Sequence, residues 1–134
     1  MMHIPVAKLQ NLFIVFAEDG FEDVWGTQVT EQSVKECLLL NKMESRSWQT
    51  AFTDDAYDHA ARIAYLCKNQ DFTPIEIDVG IPSIGYHDQI LSDGNHRFAA
   101  SIIRGDKTIL ASVTGETSFA KHLFVKASAK YANI

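Results

Sequence analysis

The sequence predicts an α/β (α+β) protein, a small mixed sheet flanked by helices, and three observations carry that prediction. Ile75 to Val79 alternates apolar and polar residues with the period of a strand. Ala56, Ala60, Ile63, Ala64 and Cys67 recur at the three- and four-residue spacing of a helix. Between residues 89 and 113 the two patterns follow one another as strand, turn, helix and strand, punctuated by Gly94 and Gly105.

Composition sets the frame. At 134 residues, 46% hydrophobic and 22% charged, the chain has the apolar content of one ordinary core, so a single domain over residues 1–134 is expected. The formal net charge of −5 argues against binding nucleic acid by bulk electrostatics, which needs a clustered excess of lysine and arginine. Cys37 and Cys67 stand in helical stretches and suit buried thiols better than a disulfide framework or a zinc knuckle. The opening residues lack a basic stretch followed by a long apolar core, and no apolar run reaches the roughly 18 to 20 residues of a membrane span. The expected location is the cytoplasm.

Taken in order, Ile4 to Leu9 and Leu12 to Phe16 are β-favouring runs, read as one or two early strands and stopped by Glu18-Asp19-Gly20. After a loop around Trp25 and Gly26, Thr30 is placed to cap a helix ending near Leu40 or Asn41, with an apolar face packing on the sheet. Met43 to Phe52 has weak periodicity and reads as loop or a short helical turn. The helix carrying Ala56 to Cys67 begins at Thr53 or Asp54 and ends near Lys68-Asn69. Pro74 opens the alternating strand, and Gly80 and Pro82 close it. Gln89 to Ser92 is a short strand, His96 to Arg104 a helix stopped by Gly105, and Thr108 to Val113 a further strand. Ser118 then caps a C-terminal helix reaching Tyr131.

Chemistry concentrates at Asp93-Gly94-Asn95-His96-Arg97. A helix start leaves N–H groups without intrahelical partners and carries partial positive charge, so an anion is stabilised there. Gly94 lets the backbone bend and a ligand approach. Arg97 offers a planar fork to phosphate oxygens, and His96 offers a donor that strengthens when protonated. Asp93 suits a metal ion, a cap or a ligand hydroxyl. The plain alternative is that Asp93 or Asn95 only caps the helix while His96 and Arg97 lie on a solvated face.

From about Asp54 to Gly115, the order helix, Thr-Pro-Ile-Glu-Ile-Asp-Val strand, turn, short strand, Asp-Gly-Asn-His-Arg-Phe-Ala-Ala helix, glycine and strand resembles the ParB/sulfiredoxin superfamily. The opening Ile4-Pro5-Val6 to Leu9 resembles the family's first strand, and Asp93 to Ala100 is similar to its Asp-Gly-x-His-Arg motif. The resemblance implies a ParB N-terminal-like domain that binds ATP or CTP with magnesium. It makes Gly94, Asn95, His96 and Arg97 the phosphate cradle, Asp93 and His96 the catalytic residues, and Asp93 the Mg2+ ligand. Hydrolysis or transfer of a phosphoryl group is the implied reaction.

The departures narrow it. Asn95 stands where sulfiredoxins carry their catalytic cysteine, so no thiolate is present for that chemistry. Fewer than twenty residues follow Gly115, too few for the helix-turn-helix module of partition proteins. Two other classes stay open. One is a non-catalytic adaptor or inhibitor acting through a protein partner, suggested by the acidic charge and the unmatched segment from Trp25 to Phe52. The other is a DNA nuclease or DNA-associated accessory protein, which the charge does not support.

Elsewhere, Glu76 and Asp78 share a strand face that suits either solvent or a metal, and His87-Asp88 reads as a surface pair. Arg46 and Trp48 offer a guanidinium and a ring to a base. His59 reads as a surface histidine beside Asp55 and Asp58.

Overall fold

Strand β1 (Met2–Pro5) hands over directly to helix α1 (Val6–Leu12). Pro5, with φ −58°, already has the backbone angle of a helix entry, and Val6 and Leu9, three apart, then fall on one buried face. The extended reading of Ile4 to Leu9 is therefore corrected beyond Pro5. Leu12 to Phe16 forms no strand either: Phe13 is the extended cap of α1, and irregular backbone follows it.

The structure is a computed structural model that describes residues 1–18, 21–50, 53 and 55–126. The expected turn at Asp19-Gly20, the end of the Met43 to Phe52 segment, the Asp54 helix start and the last residues of the expected C-terminal helix lie outside the described residues. The residues expected to form one domain divide into two compact units. Unit 1 takes in Met1–Phe13, Thr73–Gly94 and the chain from Lys107 onward, and unit 2 takes in Ile14–Phe72 and Asn95–Asp106.

Unit 1 holds the sheet. Its strands β2 (Ile75–Asp78), β3 (Ile90–Asp93) and β4 (Thr108–Thr114) join β1 in the order β1-β4-β2-β3. The β2–β4 pair is parallel and the other two pairs are antiparallel, so the sheet is mixed as expected. The alternation in β2 has its predicted cause: Ile75 and Ile77 are buried while Glu76 is exposed. Between β2 and β3 the register slips by one residue at Ser92, whose hydroxyl donates to the Glu76 carbonyl. Helix α5 (Thr117–Lys121) follows β4 and starts directly after Glu116, two residues before the expected Ser118. A π-type turn, His122–Lys126, extends it and buries Phe124.

Unit 2 is built on three helices, α2 (Glu31–Leu39), α3 (Ala56–Lys68) and α4 (Asn95–Arg104). Thr30 caps α2 as its side chain predicts. The hydroxyl accepts from the Ser33 N–H at 3.1 Å while Ser33 Oγ accepts from the Thr30 N–H at 3.0 Å, a reciprocal box that satisfies two donors. Replacing Thr30 by Ala should lower unfolding free energy by about 1 kcal/mol, read from the urea midpoint. The apolar face of α2, with Val34 and Cys37 buried, packs on α3. Helix α3 packs in turn on α4, whose Phe98, Ala99 and Ala100 are fully buried.

Helix ends in this unit are closed by the groups the sequence offers. Asp55 caps α3 through the Tyr57 N–H. Beyond α4, Gly105 N–H donates to Ile102 O and Asp106 N–H to Ser101 O, the two bonds of a Schellman stop. Arg104 then ties the two helix ends together, donating to the Leu66 carbonyl at 2.8 Å and pairing with Asp106 at 2.7 Å.

Candidate functional site

The organising group of the site's loop is a carboxylate. Asp23, 7% exposed, accepts four hydrogen bonds: from the N–H groups of Trp25, Thr27 and Val29 and from the Thr27 hydroxyl, at 2.5 to 2.9 Å. Burial alone would raise the Asp23 pKa, but the Thr27 hydroxyl and the three amides favour the charged form and hold it below the usual value. The result is a fixed loop from Asp23 to Val29 that carries Trp25.

Trp25 lies over a pair of histidines. His59 comes from the middle of α3 and His96 from the first turn of α4. Their rings are inclined by only 14°, with centroids 5.1 Å apart and His59 Nδ1 2.8 Å from His96 Nε2, so they are joined edge to edge by one hydrogen bond. The Trp25 ring stacks on both, at 4.7 Å and 17° to His59 and 4.5 Å and 23° to His96.

Proton positions follow from one partner. His59 Nε2 sits 3.0 Å from the Thr53 carbonyl, which can only accept, so Nε2 carries a hydrogen. The contact between His59 Nδ1 and His96 Nε2 then carries one further hydrogen, donated by one ring to the other. Burial, the neighbouring His59 and the guanidinium groups of Arg62 and Arg97 push the His96 pKa down to about 3. His96 is thus neutral at neutral pH, and the strengthening of its donor by protonation is confined to acid conditions.

The five motif residues fall where the chain passes from one unit to the other. Asp93 closes β3 and Gly94 ends the unit 1 segment, while Asn95, His96 and Arg97 form the first turn of α4 in unit 2. Gly94 has φ +100°, a conformation that side chains with a Cβ rarely adopt, so the glycine is required by the turn itself. Within unit 2, His96 meets His59 and Trp25, and both Arg62 and Arg97 act electrostatically on His96. Arg62 is fixed by donation to the Ser45 carbonyl at 2.8 Å.

Other candidates resolve individually. The Arg46 guanidinium stacks on the exposed Trp48 ring at 4.9 Å and is held by Glu44 at 2.7 Å. Asp78 accepts from the Gly80 N–H, and Glu76 is exposed. His87 and Asp88 are exposed, as expected. His59 is not a surface residue: it is 1% exposed. Its place four residues before Ile63, on the buried face of α3, is the signal that reveals this. Asp23 was missed too, although an Asp four residues before a Thr, with a Gly between, is a pattern for side-chain-closed turns.

Among the described residues no group of three or more His, Cys, Asp or Glu side chains is placed to hold a metal ion. No helix among them is long and apolar enough to cross a membrane. No protein-family model, curated protein or solved structure matches the chain.

Proposed function

We propose that this chain is a cytoplasmic nucleotide-binding protein of the ParB/sulfiredoxin kind, holding a phosphate of ATP or CTP at the start of α4. The single observation that supports this reading most is that α4 begins at Asn95, directly after a positive-φ glycine, so that Asn95, His96 and Arg97 occupy its first turn. Backbone N–H groups of that turn and the Arg97 fork supply the attraction for phosphate oxygens. Arg62 and Arg97, both felt by His96, add positive field at that residue of the first turn.

The roles divide by chemistry. Gly94 and Asn95 contribute backbone, and Arg97 clamps. His96, neutral and locked to His59 under Trp25, is a positioning residue for the first turn. Asp93 is a single carboxylate, which suits Mg2+ in the usual way only together with the nucleotide's own phosphates. The ion would supply charge neutralisation for hydrolysis or transfer of the terminal phosphoryl group.

Calorimetric titration with ATP, CTP and GTP, with and without Mg2+, tests the reading. The expected result is binding that prefers one nucleotide and weakens at least about tenfold in Arg97→Ala, the loss of one charge-assisted contact. Absence of binding to all three, or equal binding by Arg97→Ala, would refute it.

A further inference from the structure

We infer that the β2–β3 hairpin of unit 1 is a docking surface for an extended basic segment of a partner protein, which adds as a strand beside β3. Sheet order, exposed side chains, cavity and charge each bear on this independently of the nucleotide reading. The sheet ends at β3, whose residues are half-buried or exposed throughout. An edge strand is a template for pairing, and proteins commonly guard such edges with lysine, proline or a covering element. Ile90 to Asp93 contains neither lysine nor proline; its guards are its shortness, the Ser92 bulge and the Asp93 carboxylate, and that carboxylate repels a basic strand least.

Around this edge the hairpin exposes apolar side chains that a solvated turn would not need. Ile84 and Tyr86 are each 66% exposed, and Ile90 is 52% exposed. They stand on a rigid frame. Ile81 and Tyr86 exchange backbone hydrogen bonds at 2.8 and 3.1 Å, closing the short 3-10 turn Pro82–Ile84. Gly80 has φ +78°, and a Cβ there would meet the carbonyl oxygens of Tyr86 and Asp88, so the frame tolerates no other residue at that position. Beside it lies a cavity of about 320 Å³ walled by Ile81, Tyr86 and Ile90, with Asp78 and Asp88 at its lining.

Charge names the occupant. The segment Thr73–Gly94 carries Glu76, Asp78, Asp88 and Asp93 and no lysine or arginine. A guanidinium or ammonium on an apolar stem fits a cavity with apolar and aromatic walls and carboxylates at its lining, the stem packing on Ile81 and the charge meeting Asp88 and the Tyr86 face. Backbone pairing with β3 supplies affinity, and the cavity selects the basic side chain. A second copy of this chain is disfavoured, because it would bring the same carboxylates against one another.

The probe is a capped peptide of about eight residues alternating arginine and valine, the length of a strand, titrated into the isotope-labelled full chain. Two controls accompany it: the peptide with glutamate in place of arginine, and the peptide N-methylated at every residue, which keeps the charge but loses the strand donors of both edges. The expected result is amide shifts and slowed exchange confined to residues 80–93, with affinity reduced about tenfold in Asp88→Asn and in Tyr86→Ala, each removing one contact of the cavity. Both controls should bind at least about tenfold more weakly. Equal binding of the N-methylated peptide, unchanged affinity in both variants, shifts centred elsewhere, or self-association through β3 would each overturn the proposal. Because nucleotide titration reads α4 and this titration reads β3, failure of one is distinguishable from failure of the other.

Discussion

Replacing Asp23 by alanine is expected to cost about 4 kcal/mol of unfolding free energy, the largest effect of any single substitution considered for this chain. The carboxylate accepts from three backbone amides and one hydroxyl inside unit 2, and alanine leaves all four donors without it. Each buried donor deprived of its acceptor costs roughly 1 to 3 kcal/mol, less where water enters. Asn is no remedy, since its amide would turn donors toward donors, so about 2 to 3 kcal/mol should still be lost. Loss of the loop also removes the seat of Trp25. Urea denaturation gives the energies, and near-ultraviolet circular dichroism should show reduced tryptophan asymmetry before the main transition. A cost under about 1 kcal/mol would mean that the loop does not depend on this carboxylate.

The second large effect is on acid stability. His96 has its folded pKa depressed from 6.5 to about 3, so between those values the unfolded chain binds a proton at this residue and the folded chain does not. Stability must then rise with pH across that window. It is at its maximum above about pH 6.5 and falls as pH drops toward 3, by as much as roughly 4 kcal/mol at about 1.4 kcal/mol per unit. Asp23 acts lower on the scale: its depressed pKa contributes stability that is lost only as pH falls below 3.8. Urea midpoints at closely spaced pH values between 7 and 4 should therefore slope steeply in the wild type and much less in His96→Gln. An unchanged slope in that variant would contradict the depressed pKa of His96.

Much of the fold was legible because local chemistry and packing agree there. Thr30, the α3 periodicity, the β2 alternation and the Gly105 stop each give the chain one low-energy choice, and the structure takes it. The opening helix was not legible. Val6 and Leu9 suit either period over so short a stretch, and what decides is the entry angle set by Pro5 together with burial of both side chains. The packing partner of α2 was also out of reach, since an apolar stripe states that it will be covered and not by what.

The site divides in the same way. The Gly94 turn and the α4 start follow from the sequence around residues 93 to 97, because glycine chemistry and helix termini are local. The state of His96 does not, because it depends on His59, 37 positions away in sequence, and on Trp25. A histidine whose donor strengthens on protonation is held neutral once those rings and two guanidinium groups surround it. Arg62 likewise enters through the packing of α3 on α4, which no spacing in the motif discloses.

The claim that a phosphate sits at the first turn of α4 is tested most directly by amide chemical-shift mapping during titration with ATP and CTP in the presence of Mg2+. The account predicts the largest shifts at Asn95, His96, Arg97 and the preceding Gly94, saturating with the calorimetric affinity and requiring at least about tenfold more nucleotide in Arg97→Ala. Shifts that are uniformly small, or centred on residues away from that turn, would contradict it.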